Sequence, residues 1–155
     1  MKMKESQCPI LATHRAKKRQ NMITFTPPIK NLLILTAVLE AGTGFALLAV
    51  PSIVAGLLLG TSLDSPAVLA FARVAGVALL ALGVACWLAR HDGQSRAAKG
   101  LVGAMVLYNA AIAAVLMYAF IDGELSGIGL WPVVVVHALM TIWCVMLLLN
   151  RLEQT

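Results

Sequence analysis

Long runs of apolar positions dominate the chain from residue 30 onward, with only short polar interruptions between them. The runs are continuous rather than alternating. A helix needs about 20 residues to cross a hydrocarbon layer of roughly 30 Å, and four of the runs are that long. The pattern predicts membrane-spanning helices at about residues 30–50, 66–89, 100–121 and 130–150. We therefore expect an all-α fold, an integral membrane four-helix bundle.

The remaining segments are short. Residues 1–28 are polar and basic and end in two prolines, which disfavour a helix immediately before them, so we expect a disordered cytoplasmic segment followed by a transmembrane domain over residues 29–151. Pro51 interrupts the first helix, and the apolar stretch SIVAGLLLG after it is too short to span, which predicts a short helix at the outer interface. The brief loop RHDGQSRAAK predicts that the second and third spans are antiparallel neighbours.

Composition and charge agree with this pattern and add an orientation. Hydrophobic residues make up 60% of the chain and charged residues 12%, and the mean hydropathy is +0.87, beyond the range of soluble domains. Of the 12 lysines and arginines, most precede the first span or lie in the second loop, whereas the first and third loops carry only acidic charges. This asymmetry predicts that both termini are cytoplasmic, in a bacterial inner membrane.

The basic stretch RAKKRQ has two interpretations. It could bind nucleic acid, but a short basic segment beside a membrane helix is more typical of an orientation signal or of contact with anionic lipid. We therefore expect the lipid bilayer, and no nucleic acid, as its partner.

Each predicted span contains one strongly polar residue: Glu40, Arg73, Asn109 and His137. With a rise of about 1.5 Å per residue, Glu40 and Asn109 fall near the midplane, and Arg73 and His137 lie roughly 10 Å below the outer surface. A charge at the bilayer centre costs at least about 2.5–3.5 kcal/mol, so such groups face the bundle interior and pair. The sequence predicts an ion pair between Glu40 and Arg73, with Tyr108 and Asn109 supplying further hydrogen bonds.

This predicted network has three interpretations: a structural device that fixes helix register, a polar cavity for a ligand, ion or proton, and a site for a partner protein. No HExxH, GxSxG, phosphate-binding glycine loop or CxxC pair is present. A haem between helices commonly takes two histidines, and His137 is the single histidine within a predicted span. We expect no enzymatic activity, no cofactor, no metal site and no structural disulfide.

The segments GFALLAVPSIVAGLLLG and LAFARVAGVALLALGVACWLAR together resemble small uncharacterised bacterial four-helix membrane proteins in the neighbourhood of the DoxX-like family. The likeness covers about residues 30–150 and consists of a proline after the first span and an arginine early in the second, followed by a run rich in glycine, alanine and leucine. The resemblance implies an accessory role in quinone-linked membrane redox systems, and it assigns no residue of this chain a redox role.

The stretch LEAGT around Glu40 is similar to the first helix of small multidrug-resistance transporters, which carry an essential glutamate there. Such a carrier needs a carboxylate that exchanges protons, whereas Arg73 would hold Glu40 ionised. The expected function is therefore a non-enzymatic accessory subunit or binding protein within a larger membrane complex or a homo-oligomer. A proton-coupled transporter using Glu40 and a quinone- or haem-associated redox subunit are the alternatives.

Overall fold

The computed structural model describes residues 29–63, 65–93, 95–123 and 126–152, and the expected disordered segment over residues 1–28 lies outside them. The described chain is all-helical. Its five helices are α1 (Ile29–Ala49), α2 (Pro51–Leu59), α3 (Pro66–Ala89), α4 (Arg96–Ile121) and α5 (Leu130–Leu152). Four of them, all except α2, are long and apolar enough to cross a membrane, and they match the four apolar runs of the sequence.

Local sequence chemistry explains where several helices begin and end. Pro51 and Pro66 occupy the first turns of α2 and α3, where the missing N–H group costs nothing. The Ser95 Oγ accepts a hydrogen bond of 3.0 Å from the Ala98 N–H and so caps α4. Gly60 closes α2 in the left-handed conformation, with a φ of 73°. The short helix expected after the first span is thus present as α2.

The helices form two close antiparallel pairs, α1 with α3 and α4 with α5. Glycines bring α1 and α3 together: a Cβ added to Gly44 would lie 2.6 Å from the Gly76 carbonyl oxygen, and one added to Gly83 would lie 2.9 Å from the Ala41 nitrogen. Such small residues allow backbones to touch. α3 and α4 make few close backbone contacts despite their short connection, so the neighbour pair expected of the second and third spans is replaced by these two pairs.

Side chains rather than backbones fill the space between the two pairs. On the outer surface of the bundle, large apolar side chains such as Phe45, Phe71 and Leu107 are exposed. Thr36 and Glu40, by contrast, are buried. This distribution is the reverse of that in soluble proteins. The buried apolar cluster that joins the pairs consists of Ile29, Leu32, Leu33, Ala37, Cys86, Val102, Met105, Met140, Cys144 and Leu147.

The two ends of the bundle differ in charge and construction. At one end, a Cβ added to Gly93 would lie 2.8 Å from Ile29, so the start of α1 meets the residues after α3. We call this the basic end, because Lys30, Arg90, Arg96 and Lys99 lie there. At the opposite end, residues 126–129 pack against α2 through backbone hydrogen bonds from the Ser126 N–H to the Leu59 carbonyl (3.1 Å) and from the Gly129 N–H to the Leu57 carbonyl (2.8 Å).

The contact between α1 and α3 yields a stability prediction. Gly44→Ala places a methyl group against backbone atoms of α3, which cannot retract as a flexible side chain could. We expect a loss of about 1–3 kcal/mol in the free energy of unfolding in detergent. Gly42→Ala is the matched control, since nothing lies within 4 Å of its added Cβ. Equal thermal unfolding of the two variants would contradict the close approach.

Candidate functional site

Glu40 lies on the face of α1 that is turned toward the α4–α5 pair. Its side chain is only 6% exposed, and its Oε2 accepts a hydrogen bond of 2.9 Å from the Tyr108 hydroxyl. Tyr108 belongs to α4, so this bond crosses between the two helix pairs. Burying a carboxyl group without a hydrogen bond is costly, and the phenol offsets part of that cost.

Asn109, the next residue on α4, links α4 to α5. Its Nδ2 donates to the Met105 carbonyl at 2.7 Å, which leaves its Oδ1 as an acceptor. The Nδ1 of His137 lies 2.8 Å from that Oδ1. Because an amide oxygen cannot donate, the hydrogen in this contact belongs to the His137 Nδ1, and in the neutral imidazole the Nε2 is then the acceptor nitrogen.

These two hydrogen-bonded pairs adjoin each other. The rings of Tyr108 and His137 make an edge-to-face contact, with centroids 5.8 Å apart and planes at 75°. One turn along α5, the Thr141 hydroxyl donates to the His137 carbonyl at 2.8 Å. Glu40, Tyr108, Asn109 and His137 therefore form one continuous group across three helices, which we call the polar layer. The structure thus brings together four of the five residues that the sequence indicated.

Arg73 is the fifth, and the structure places it elsewhere. It is exposed and forms no ion pair with Glu40, so the predicted Glu40–Arg73 pair is absent from the described part of the chain. The packing of Gly44 against Gly76 sets Arg73 opposite the last residues of α1, about eight residues of helix from the level of Glu40, or roughly 12 Å. Arg73 lies far from Glu40 because α3 begins beyond the end of α1, beside α2, so the first residues of α3 have no part of α1 next to them.

Thr36 is a polar residue of the interior that the sequence analysis missed. It precedes Glu40 by one helical turn and is 2% exposed, and its Oγ1 has no hydrogen-bond partner among the described residues. The signal was available, because a polar residue four positions before another lies on the same helix face. Thr36 extends the polar layer along α1 toward the basic end.

The chemistry open to the polar layer is hydrogen bonding and proton exchange. Its groups are a carboxyl, a phenol, an amide and an imidazole, all held by contacts within the bundle. In the described ranges, no group of three or more histidine, cysteine, aspartate or glutamate side chains could hold a metal ion. Cys86 and Cys144 are free, buried thiols of the core cluster.

The hydrogen bond between Tyr108 and Glu40 can be tested by removing its donor. Tyr108→Phe leaves the buried Glu40 without the hydroxyl, and we expect a loss of about 1–3 kcal/mol in the free energy of unfolding. Tyr118→Phe is the matched control, since Tyr118 is an exposed tyrosine on the same helix. Thermal unfolding in detergent is the measurement, and equal stability of both variants would contradict a role for this bond.

A double-mutant cycle tests the separation of Glu40 from Arg73. The variants Glu40→Gln, Arg73→Gln and the double mutant are compared by thermal unfolding. Because the side chains share no contact, we expect their effects to add within about 0.5 kcal/mol and Arg73→Gln alone to be close to neutral. Recovery of stability in the double mutant would show that the two charges are paired after all.

No family model, curated protein or solved structure matches the chain in the three comparisons made. The resemblance to DoxX-like proteins is untouched by this result and stays a prediction from residues 30–150.

Proposed function

We propose that the chain is a non-enzymatic, multi-pass protein of the bacterial inner membrane that serves as an accessory subunit or binding protein. Its partners are the lipid bilayer and a larger membrane complex or further copies of itself. The polar layer has a structural role in this proposal: it sets the register of α1, α4 and α5 so that the bundle presents a fixed surface to its partner.

One observation carries the membrane assignment: the bundle is apolar outside and polar inside. Phe71 is 75% exposed and Leu107 is 73% exposed, while the carboxyl-bearing Glu40 is 6% exposed. In water this distribution would expose a large apolar surface, whereas in lipid it satisfies both sets of groups. The four long helices supply the spans.

The charges at the two ends support the orientation. Lys30, Arg90, Arg96 and Lys99 gather at the basic end, and the helix ends on the far side include Asp122. By the positive-inside rule, the basic end faces the cytoplasm, and both termini follow it there.

The packing of the polar layer supports a structural role over ligand capture. Asn109 and His137 bond to each other and to the backbones of α4 and α5, and the Glu40 carboxyl group is held by the Tyr108 hydroxyl. Two surface grooves of the described chain are lined by apolar residues and by none of the polar layer. A hydrogen-bonded group of this kind can specify one helix arrangement.

Proton-coupled transport through Glu40 is the second candidate, and the position of Arg73 favours it. Neutralisation by Arg73 would hold Glu40 ionised and oppose transport, but the two residues are separated by roughly 12 Å along the α1–α3 pair. Proton release on adding a cationic substrate, abolished in Glu40→Gln, would favour this candidate. The quinone- or haem-associated alternative has no comparable support.

The membrane assignment is tested by fractionation and topology. We expect the full chain to remain in the membrane pellet after an alkaline carbonate wash, because four apolar spans hold it there. Alkaline phosphatase fused after residue 62 or after residue 123 should be active in the periplasm, and fusions after residue 93 inactive. Recovery of the chain in the soluble fraction would refute the membrane assignment, and the reverse fusion pattern would refute the orientation alone.

A further inference from the structure

A shallow groove runs along the outward side of the α1–α3 pair. The groove forms because small residues line the contact between α1 and α3. The larger side chains beside these small residues form its two walls. Val38 and Val84 are both more than half exposed, so the groove opens outward. Its lining is entirely apolar and consists of Ala37, Val38, Ala41, Gly83, Val84 and Trp87.

Two basic residues at the basic end lie on the same helix faces as the residues that line the groove. Lys30 precedes Ala37 by seven residues, and Arg90 follows Gly83 by seven residues, and a spacing of seven returns to the same face of a helix. The two helix ends meet there, since Gly93 approaches Ile29. Two cations, Lys30 and Arg90, therefore lie beyond one end of the groove on the same faces of α1 and α3 that line it.

Arg90 is held in place at the mouth of the groove. Its guanidinium stacks on the ring of Trp87, 3.8 Å from the centroid, and its Nη1 donates to the Trp87 carbonyl. Trp87 itself lines the groove, so its ring contacts both the apolar lining and the Arg90 guanidinium. A guanidinium carries five N–H groups, so donors remain for a planar, bidentate contact with a phosphate.

We propose that this groove binds one acyl chain of an anionic phospholipid, whose phosphate is held by Arg90 and Lys30. The inference rests on the proposed membrane placement, in which the basic end faces the anionic cytoplasmic leaflet. The volume of the groove is about 240 Å³. A groove of this size holds part of an acyl chain, and the rest of the chain lies in the bilayer. The positive charges at one end match the phosphate of a phospholipid, and the apolar lining matches its acyl chain.

The test measures phospholipid binding by the full chain in a neutral detergent. Dioleoylphosphatidylglycerol or dioleoylphosphatidylcholine is added, and the bound molecules are counted by native mass spectrometry. We expect the first phosphatidylglycerol to bind more tightly than phosphatidylcholine, and Lys30→Gln with Arg90→Gln to weaken it roughly tenfold or more. The matched control, Arg96→Gln with Lys99→Gln, removes two exposed charges from the same end but from α4, and should change binding far less.

A second pair of variants tests the acyl chain. Val84→Trp fills the groove from an exposed position and should weaken the first binding event of phosphatidylglycerol, whereas Val77→Trp adds the same bulk to an exposed position of α3 outside the lining and should not. Equal effects of the two charge variants would show general attraction to the basic end and overturn the proposal, as would undiminished binding in Val84→Trp. A failed membrane assignment is distinguished by carbonate extraction, which these variants should not alter.

Discussion

The backbones of α1 and α3 touch at Gly44, Gly76 and Gly83, and the placement of the polar side chains follows from that contact. Once these glycines meet, the register between the two helices has no freedom to slide, because neighbouring positions carry side chains that would collide with backbone. This register sets Arg73 near the far end of α1, while Glu40, near the middle of α1, bonds to Tyr108 of α4. A single steric constraint thus keeps the two charged residues at different levels of the bundle.

The two helix pairs are joined differently from the helices within each pair. Within a pair, backbones approach closely, whereas between the pairs the contact is made by side chains such as Leu33 and Met105 and by the bond from Tyr108 to Glu40. Apolar contacts of this kind change little in energy when one helix shifts slightly against another. A hydrogen bond is more sensitive, because it depends on both distance and angle. The polar layer therefore supplies directionality at the interface where the apolar packing supplies little.

The sequence predicted the helices better than their arrangement. Hydropathy alone located four long helices, since the length of an apolar run needs no knowledge of neighbours, and proline placement located α2. The grouping of Glu40, Asn109 and His137 followed from the cost of polar groups in lipid. Arg73 was misplaced because depth was counted from the ends of each run, which assumes that all helices start level. α3 instead starts beside α2, beyond the end of α1, and only the glycine contacts reveal that offset.

The bond from Tyr108 to Glu40 joins residues 68 positions apart, and this separation has a consequence for biosynthesis. At about 5–20 residues per second, a ribosome needs roughly 3–14 s to reach Tyr108 after it has added Glu40. α3 (Pro66–Ala89) is itself made within this interval, and throughout it the acceptor on α1 has no phenol to meet. The carboxyl group that α1 contributes to the interior therefore has no Tyr108 donor until α4 is made, so the polar layer can close only after the second half of the chain has begun to appear.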